Sequence, residues 1–348
     1  MKRGRDFPES DDALAGESDS GMDDASGLLS RLYRYQRAHH RALRMADYAY
    51  QQGEVKWAYK LLHCGEYLVF RDYFTVGKVR LHAADFCKKH LLCPLCAIRR
   101  AAKQVKAYLE RLRAIKAAAP FLGLSLVTLT VKDGPDLGER FRHLAGSFRE
   151  LQQARRSHLR GRGPFFELSK VDGAVGSYEF KRGSGSGLWH PHLHMVCLHG
   201  EPLDAGRLAA DWRAITGDSW IVDVTPFHEG QDPAQGFLEV FKYALKFSSM
   251  ELADNWEAFK ELTGRRLVFS FGLFYGVDVP EGLADEELPD LLPFVEMVYR
   301  YLESGYSLAQ VSSPIYPEAS RQGAPRAAQK GVTLRFDGST WNKKPKTY

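Results

Sequence analysis

The middle of the chain predicts an α+β fold, an antiparallel sheet with helices on one face, preceded by a helical zinc-binding segment. Three observations carry this expectation. Leu122 to Val131 (LGLSLVTLTV) is β-branched and alternating, and it lies between Pro120 and the turn Lys132-Asp133-Gly134-Pro135, which marks a strand. Beyond it the hydrophobic period switches between helix and strand in the order β-α-β-β-α-β-α, which suits a ferredoxin-like or split βαβ arrangement. Four of the 5 cysteines, Cys64, Cys87, Cys93 and Cys96, fall in the first third with knuckle-like spacing.

The elements follow in order. Residues 1–28 hold eight acidic side chains (Asp6, Glu9, Asp11, Asp12, Glu17, Asp19, Asp23 and Asp24) against Lys2, Arg3 and Arg5, and lack hydrophobic periodicity. That composition predicts a disordered acidic head. Residues 29–119 form the helical, zinc-binding segment. Its helical periodicity runs through Tyr33, Tyr35, His39, Leu43, Ala46 and Tyr50, then from Trp57 to Leu62, and finally along a basic helix from Ala97 to Ala119. Pro120 stops that helix.

Residues 120–280 hold the sheet. After the first strand come a basic helix from Leu137 to Leu159, a strand from Gly173 to Lys181, a glycine-serine turn, and a strand from Pro191 to Leu198. A helix after Asp204, a strand from Trp220 to Thr225, and a helix capped by Asp232 with Pro233 at its first position complete the set. Residues 264–276 read as one more strand. Residues 281–310 are expected to be a helical C-terminal extension, and 311–348 a loosely ordered basic tail.

The net charge of +5 conceals an asymmetry. The head contributes −5, so the remainder carries +10. A basic body with many aromatics suits a polyanionic partner, nucleic acid above all. Arg99, Arg100 and Lys103 on one basic helix, and Arg155 and Arg156 on the other, are the candidate phosphate contacts. The head has no apolar centre resembling a signal peptide, and no run of about 18 apolar residues is present for a membrane span. A soluble cytoplasmic protein without a membrane partner is expected, with its cysteines as thiols or metal ligands.

Two candidate metal sites emerge. Cys87-Lys-Lys-His90-Leu-Leu-Cys93-Pro-Leu-Cys96 turns thiolates toward a common point, and a tetrahedral zinc is completed by Cys64 or by His90. A closed four-ligand set of this kind is structural. The second site is His192-Leu193-His194, two imidazoles on one face of a strand and roughly 7 Å apart along it. Glu179, on a strand that pairs with this one as a hairpin, stands beside them and completes a set suited to a catalytic divalent cation, with His190 as competitor. Glu239, Tyr243 and Lys246 form a polar stripe of base, nucleophile and cation on the last helix of the sheet region.

In order, the Cys-Gly and CPLC segment, SLVTLTV at Ser125 to Val131, WHPHLHMVCL, TGDSWIVDV at Thr216 to Val224, and EVFKYALKF resemble the rolling-circle replication initiators of small bacterial plasmids. The resemblance is to the class typified by the plasmids pC194 and pUB110, within the HUH endonuclease superfamily, and covers about Leu61 to Tyr275. It implies the RRM-like HUH endonuclease fold. It further implies that His192, His194 and Glu179 hold Mg²⁺ or Mn²⁺ against the scissile phosphate, while Zn²⁺ is structural. Tyr243 would nick origin DNA at a single-stranded hairpin site, keep the 5′ phosphate and free a 3′ hydroxyl primer. Glu239 would activate water for hydrolytic termination, and Lys246 would steady the tyrosinate. The implied partners are double-strand origin DNA and a host helicase and DNA polymerase.

Two other readings fit the same residues. A relaxase or single-tyrosine transposase uses the His pair and tyrosine for strand transfer and has no need of Glu239. A zinc-stabilised DNA-binding regulator needs neither. A metal-dependent phosphohydrolase of small substrates is disfavoured by the basic surface and the absence of a Gly-rich phosphate loop.

Overall fold

The computed structural model describes residues 25–312 apart from 229, 244–249, 289–291 and 304, together with the strands 333–336 and 341–344. The acidic head therefore lies outside the described residues up to Asp24, and so does most of the tail. The chain divides into two units, one of residues 1–99 with 282–348 and one of residues 100–281.

The first unit opens with helices α1 (Ala25–Gln51) and α2 (Val55–Leu62), separated at Gly53 with φ +80°. Strands β1 (Tyr67–Tyr73) and β2 (Lys78–Ala84) form a hairpin that helical periodicity did not foresee. The expected helical extension at 281–310 is corrected: β8 (Val295–Leu302) and β9 (Gly305–Ser312) are strands, and the sheet runs β2-β1-β8-β9, antiparallel throughout. The physical reason is local. VEMVYRYL and GYSLAQVS are rich in Val, Tyr and Leu, and β8 fills the free edge of β1 from Tyr67↔Arg300 to Asp72↔Val295.

This return of the chain is fastened by buried charge. Asp285 accepts from Arg31 Nη2 at 2.7 Å and from the Leu81 amide at 2.6 Å, and pairs with Arg99 as well. Burial alone would raise the Asp285 carboxyl, but Arg99 and then Arg31 outweigh it and hold it well below the usual carboxylate range.

Helix α3 (Pro94–Ala118) starts at the cysteine knuckle and supplies the first helix of the second unit from Arg100 on. There β3 (Gly123–Thr130), α4 (Leu137–Leu159), β4 (Val171–Arg182), β5 (Trp189–His199), α5 (Ala205–Thr216), β6 (Val222–Pro226), α6 (Ala234–Phe241), α7 (Leu252–Leu262) and β7 (Val268–Gly272) follow. Asp136 and Asp204 cap α4 and α5 by accepting from the amides of Glu139 and Arg207, and Asp232 accepts from Ala234 at the start of α6. The five strands form one antiparallel sheet in the order β6-β3-β5-β4-β7.

The sheet carries helices on both faces, which corrects the expectation of one covered face. Val175, Val196 and Leu198 pack with Tyr108 of α3 and with Phe237, Val240 and Phe241 of α6. Tyr178 and Phe180, of opposite parity on β4, meet Phe141 and Phe148 of α4. With both faces covered, β5 is buried almost without alternation.

Candidate metal centres and the tyrosine helix

The knuckle brings four sulfurs together in the first unit. Cys64 Sγ lies 3.4 Å from Cys93 Sγ and 3.5 Å from Cys96 Sγ, and Cys87 Sγ lies 3.6 Å from Cys96 Sγ. Four thiolates at about 2.3 Å from one zinc stand about 3.8 Å apart, so the cluster has the dimensions of a closed tetrahedral site. Gly65, with φ +77°, makes the turn that aims Cys64 inward, and its carbonyl is held by Tyr306 Oη at 2.6 Å. The fourth sulfur is thus that of Cys64, and His90 is not in the group. Hydrogen bonds from Cys64, Cys93 and Cys96 lower the Cys87 thiol, whereas Cys93 and Cys96 are raised, above all by their contacts with Cys64 and Cys87. Ionising all four needs a cation among them. Cys197, the fifth cysteine, is buried in β5 and its thiol is pushed up by burial.

The second group lies on the sheet of the second unit. β4 and β5 pair with Glu179 opposite His192 and Ser177 opposite His194. Directly opposed side chains stand on the same face, so the carboxylate reaches both imidazoles. His192 Nε2 is 3.1 Å from Glu179 Oε1, and His194 Nε2 is 3.6 Å from Glu179 Oε2. Glu179 is 0% exposed and His192 5%. On the other side of β5, Thr128 Oγ1 shares a 2.9 Å hydrogen bond with His194 Nδ1. That anchor fixes the ring and leaves Nε2 for a cation, the usual outer support of a metal-binding histidine. His192 Nδ1 is buried with no hydrogen-bond partner among the described residues. A carboxylate and two imidazoles in so dry a place fit a divalent cation, which compensates the buried charge.

His190 takes another role. Its Nδ1 is 2.6 Å from Asp133 Oδ1, and Ser186 Oγ donates to the other oxygen of that carboxylate at 2.5 Å. Neither Asp133 nor Ser186 carries a motif signal, and only the register that brings the turn after β3 beside the start of β5 unites them.

The tyrosine helix lies over the same sheet face. Val175, Val196 and Leu198 have the parity of Glu179, His192 and His194, and they pack against α6. Ser177 Oγ donates to the Val240 carbonyl at 2.5 Å. Helix α6 ends at Phe241 and a turn at Lys242 parts it from Tyr243, so the expected single helix carrying both Glu239 and Tyr243 is corrected; Tyr243 is 5% exposed. Burial pushes its phenol up to about 12, against a smaller lowering effect of Arg100. Glu239 pairs with Lys242, one turn on, and is not within the carboxylate-imidazole group. Lys246 lies outside the described residues.

The expected phosphate contacts are in part corrected. Arg99 is 2% exposed, donating to Tyr35 Oη at 3.0 Å and Leu283 O at 2.8 Å as well as pairing with Asp285, so it is a structural cation. Lys103 is buried, and half-buried Arg155 donates to Val171 O at 2.5 Å. Arg100 donates to Pro280 O at 2.9 Å, and Arg156 is exposed. Among the described residues, no helix is long and apolar enough to cross a membrane.

Taken by class, the chain is an α+β protein with two metal-type donor sets, one all-thiol and one of carboxylate and imidazole. Residues 78–202 match the family model described as Replication protein. A "Protein rep" of Bacillus sp is 32% identical over 180 residues, 49% of this chain and 53% of that protein. The chain thus spans about half the length of that relative. A "Protein rep" of Bacillus amyloliquefaciens is 25% identical over 280 residues, covering 69% of this chain and 78% of that protein. No solved structure matches.

Proposed function

We propose that the chain initiates rolling-circle replication of a plasmid in the bacterial cytoplasm by nicking origin DNA with Tyr243, on an HUH endonuclease fold. The observation that carries this reading is the sharing of one sheet face by Glu179, His192 and His194 with the helix that leads into Tyr243. The element order, the sheet order and the match of residues 78–202 to the replication protein family model support it.

Glu179, His192 and His194 hold Mg²⁺ or Mn²⁺, which when bound draws charge from a phosphate oxygen and makes phosphorus more electrophilic. The Tyr243 oxygen attacks that phosphorus, the bond from phosphorus to the 3′ oxygen breaks, and a 5′-phosphotyrosine remains. The phenolic proton leaves to solvent or a neighbouring base, and the departing 3′ oxygen takes one up to become the primer hydroxyl. A phenol held near 12 is protonated at neutral pH, so the approach of substrate must assist its ionisation. Arg100, whose charge acts on Tyr243, favours the phenolate. Glu239 is the base that activates water at termination, once released from Lys242. Lys246 steadies the tyrosinate. The Cys64, Cys87, Cys93 and Cys96 site holds Zn²⁺ structurally. Double-strand origin DNA with an extruded hairpin is the substrate, and a host helicase and polymerase continue from the free 3′ end.

The test is incubation of the full chain with supercoiled plasmid bearing its origin and Mn²⁺. The parent protein is expected to give nicked circles with protein covalently attached at a 5′ end, and Tyr243→Phe neither. Nicking that survives the substitution would overturn the mechanism.

A further inference from the structure

A second basic surface lies on α2 and the knuckle of the first unit. Three ammonium groups stand over the ring of Trp57: Lys56 at 5.6 Å, Lys60 at 5.5 Å and Lys89 at 4.7 Å from its centroid. Lys88 is exposed beside them. Lys56 and Lys60 are four apart on a helix, a spacing at which like charges repel. Among the described residues no carboxylate forms an ion pair with Lys56, Lys60, Lys88 or Lys89. The indole offsets part of this repulsion, at about 0.5–1 kcal/mol for each exposed cation–π contact, but it leaves the net charge unaltered.

The cluster is also held in place. The Lys89 carbonyl accepts from the amides of Leu92 at 2.9 Å and Cys93 at 2.7 Å, so the fold of the knuckle fixes where Lys89 emerges. Like charges gathered on a fixed frame without internal compensation call for an external polyanion.

We propose that Lys56, Lys60, Lys88 and Lys89 grip the phosphate backbone of duplex DNA flanking the cut, without reading its sequence. Duplex is favoured over single strand for two reasons. The Trp57 ring is occupied by ammonium groups and is not an open platform for base stacking, which single-strand binding exploits. A surface that works by charge alone binds the partner of greater charge density, and duplex carries one charge per about 1.7 Å of axis. The patch takes over the role expected of Arg99 and Lys103, which are buried. The proposal rests on DNA being the substrate.

The experiment measures binding of the full chain to a labelled duplex of unrelated sequence across a salt series. The variant K56Q/K60Q/K89Q is expected to lower the slope of log affinity against log salt by about 2 to 3, since each phosphate contact contributes about 0.9. The variant K56R/K60R/K89R is expected to keep the parent slope. An unchanged slope in the glutamine variant, or an equal loss in the arginine variant, overturns the proposal. Nicking of a single-stranded origin oligonucleotide by the glutamine variant, expected within about twofold of the parent, separates failure of this patch from failure of the Tyr243 reading.

Discussion

Ser177→Ala removes one hydroxyl from beneath the tyrosine helix. In the parent, Ser177 Oγ donates to the Val240 carbonyl at 2.5 Å, and both residues are fully buried. Helix α6 ends at Phe241, so the Val240 carbonyl is among the last four of the helix, and among the described residues Ser177 is its donor. Losing the serine leaves a buried acceptor unsatisfied at a cost of about 1–3 kcal/mol. For a unit of this size about 1 kcal/mol moves Tm by roughly 2–4 °C, so a fall of about 2–12 °C is expected by calorimetry. The functional effect is separable. Tyr243 follows directly on the loosened end, and a misplacement of about 1 Å at a reacting group costs up to about 100-fold in rate. The rate of single-stranded origin nicking at saturating Mn²⁺ should fall about 10- to 100-fold, with Mn²⁺ affinity within about threefold of the parent because Glu179, His192 and His194 keep their places. A lowered Tm with an unchanged nicking rate would refute the claim that the sheet positions the nucleophile through α6.

Titration calorimetry with Mn²⁺ should show binding lost in Glu179→Gln and retained in His190→Ala, because His190 is paired to Asp133 while Glu179 meets both imidazoles; equal losses would return His190 to the ligand set. The Asp285 carboxyl has a folded pKa depressed below its unfolded value, so its stabilisation is full above about pH 4 and is lost as pH falls below that. Acid unfolding followed by circular dichroism should therefore begin at higher pH in Arg31→Met than in the parent, and an unaltered onset would sink this account.

The site was legible where chemistry and period coincide. Two histidines spaced by one residue must share a strand face, and the hairpin through Gly183 to Gly187 is short enough to set Glu179 opposite His192. Asp204 and Asp232 likewise mark the starts of α5 and α6 in the sequence, whereas the Asp136 cap of α4 carries no sequence call. What escaped depends on distant sequence. β8 pairs with β1 across more than two hundred residues, and nothing local in VEMVYRYL names its partner. Arg99 and Lys103 look like solvent-facing cations on a basic helix, and only the return of Asp285 and Leu283 makes Arg99 an inward one. The Asp133–His190 pair escaped for the same reason, since a register between a turn and a strand edge decides it.

The division of labour along β5 explains why Tyr243, the proposed nucleophile, is buried. Even-numbered positions of that strand share one face: Val196 and Leu198 lie under α6 and α3, while His192 and His194 meet Glu179. The same face thus changes from packing surface to cation site within two residues. Ser177 sits at the change, opposite His194 on one side and bonded to Val240 on the other. A helix that crosses this boundary uses the apolar half for stability and delivers its C-terminal end toward the polar half. Tyr243 is then held by the core that positions it, and the high pKa of its phenol follows from that placement. Accuracy of placement and readiness of ionisation are opposed here, and in the proposed mechanism a cation beside the phosphate would relieve the conflict by lowering the need for a free phenolate before attack.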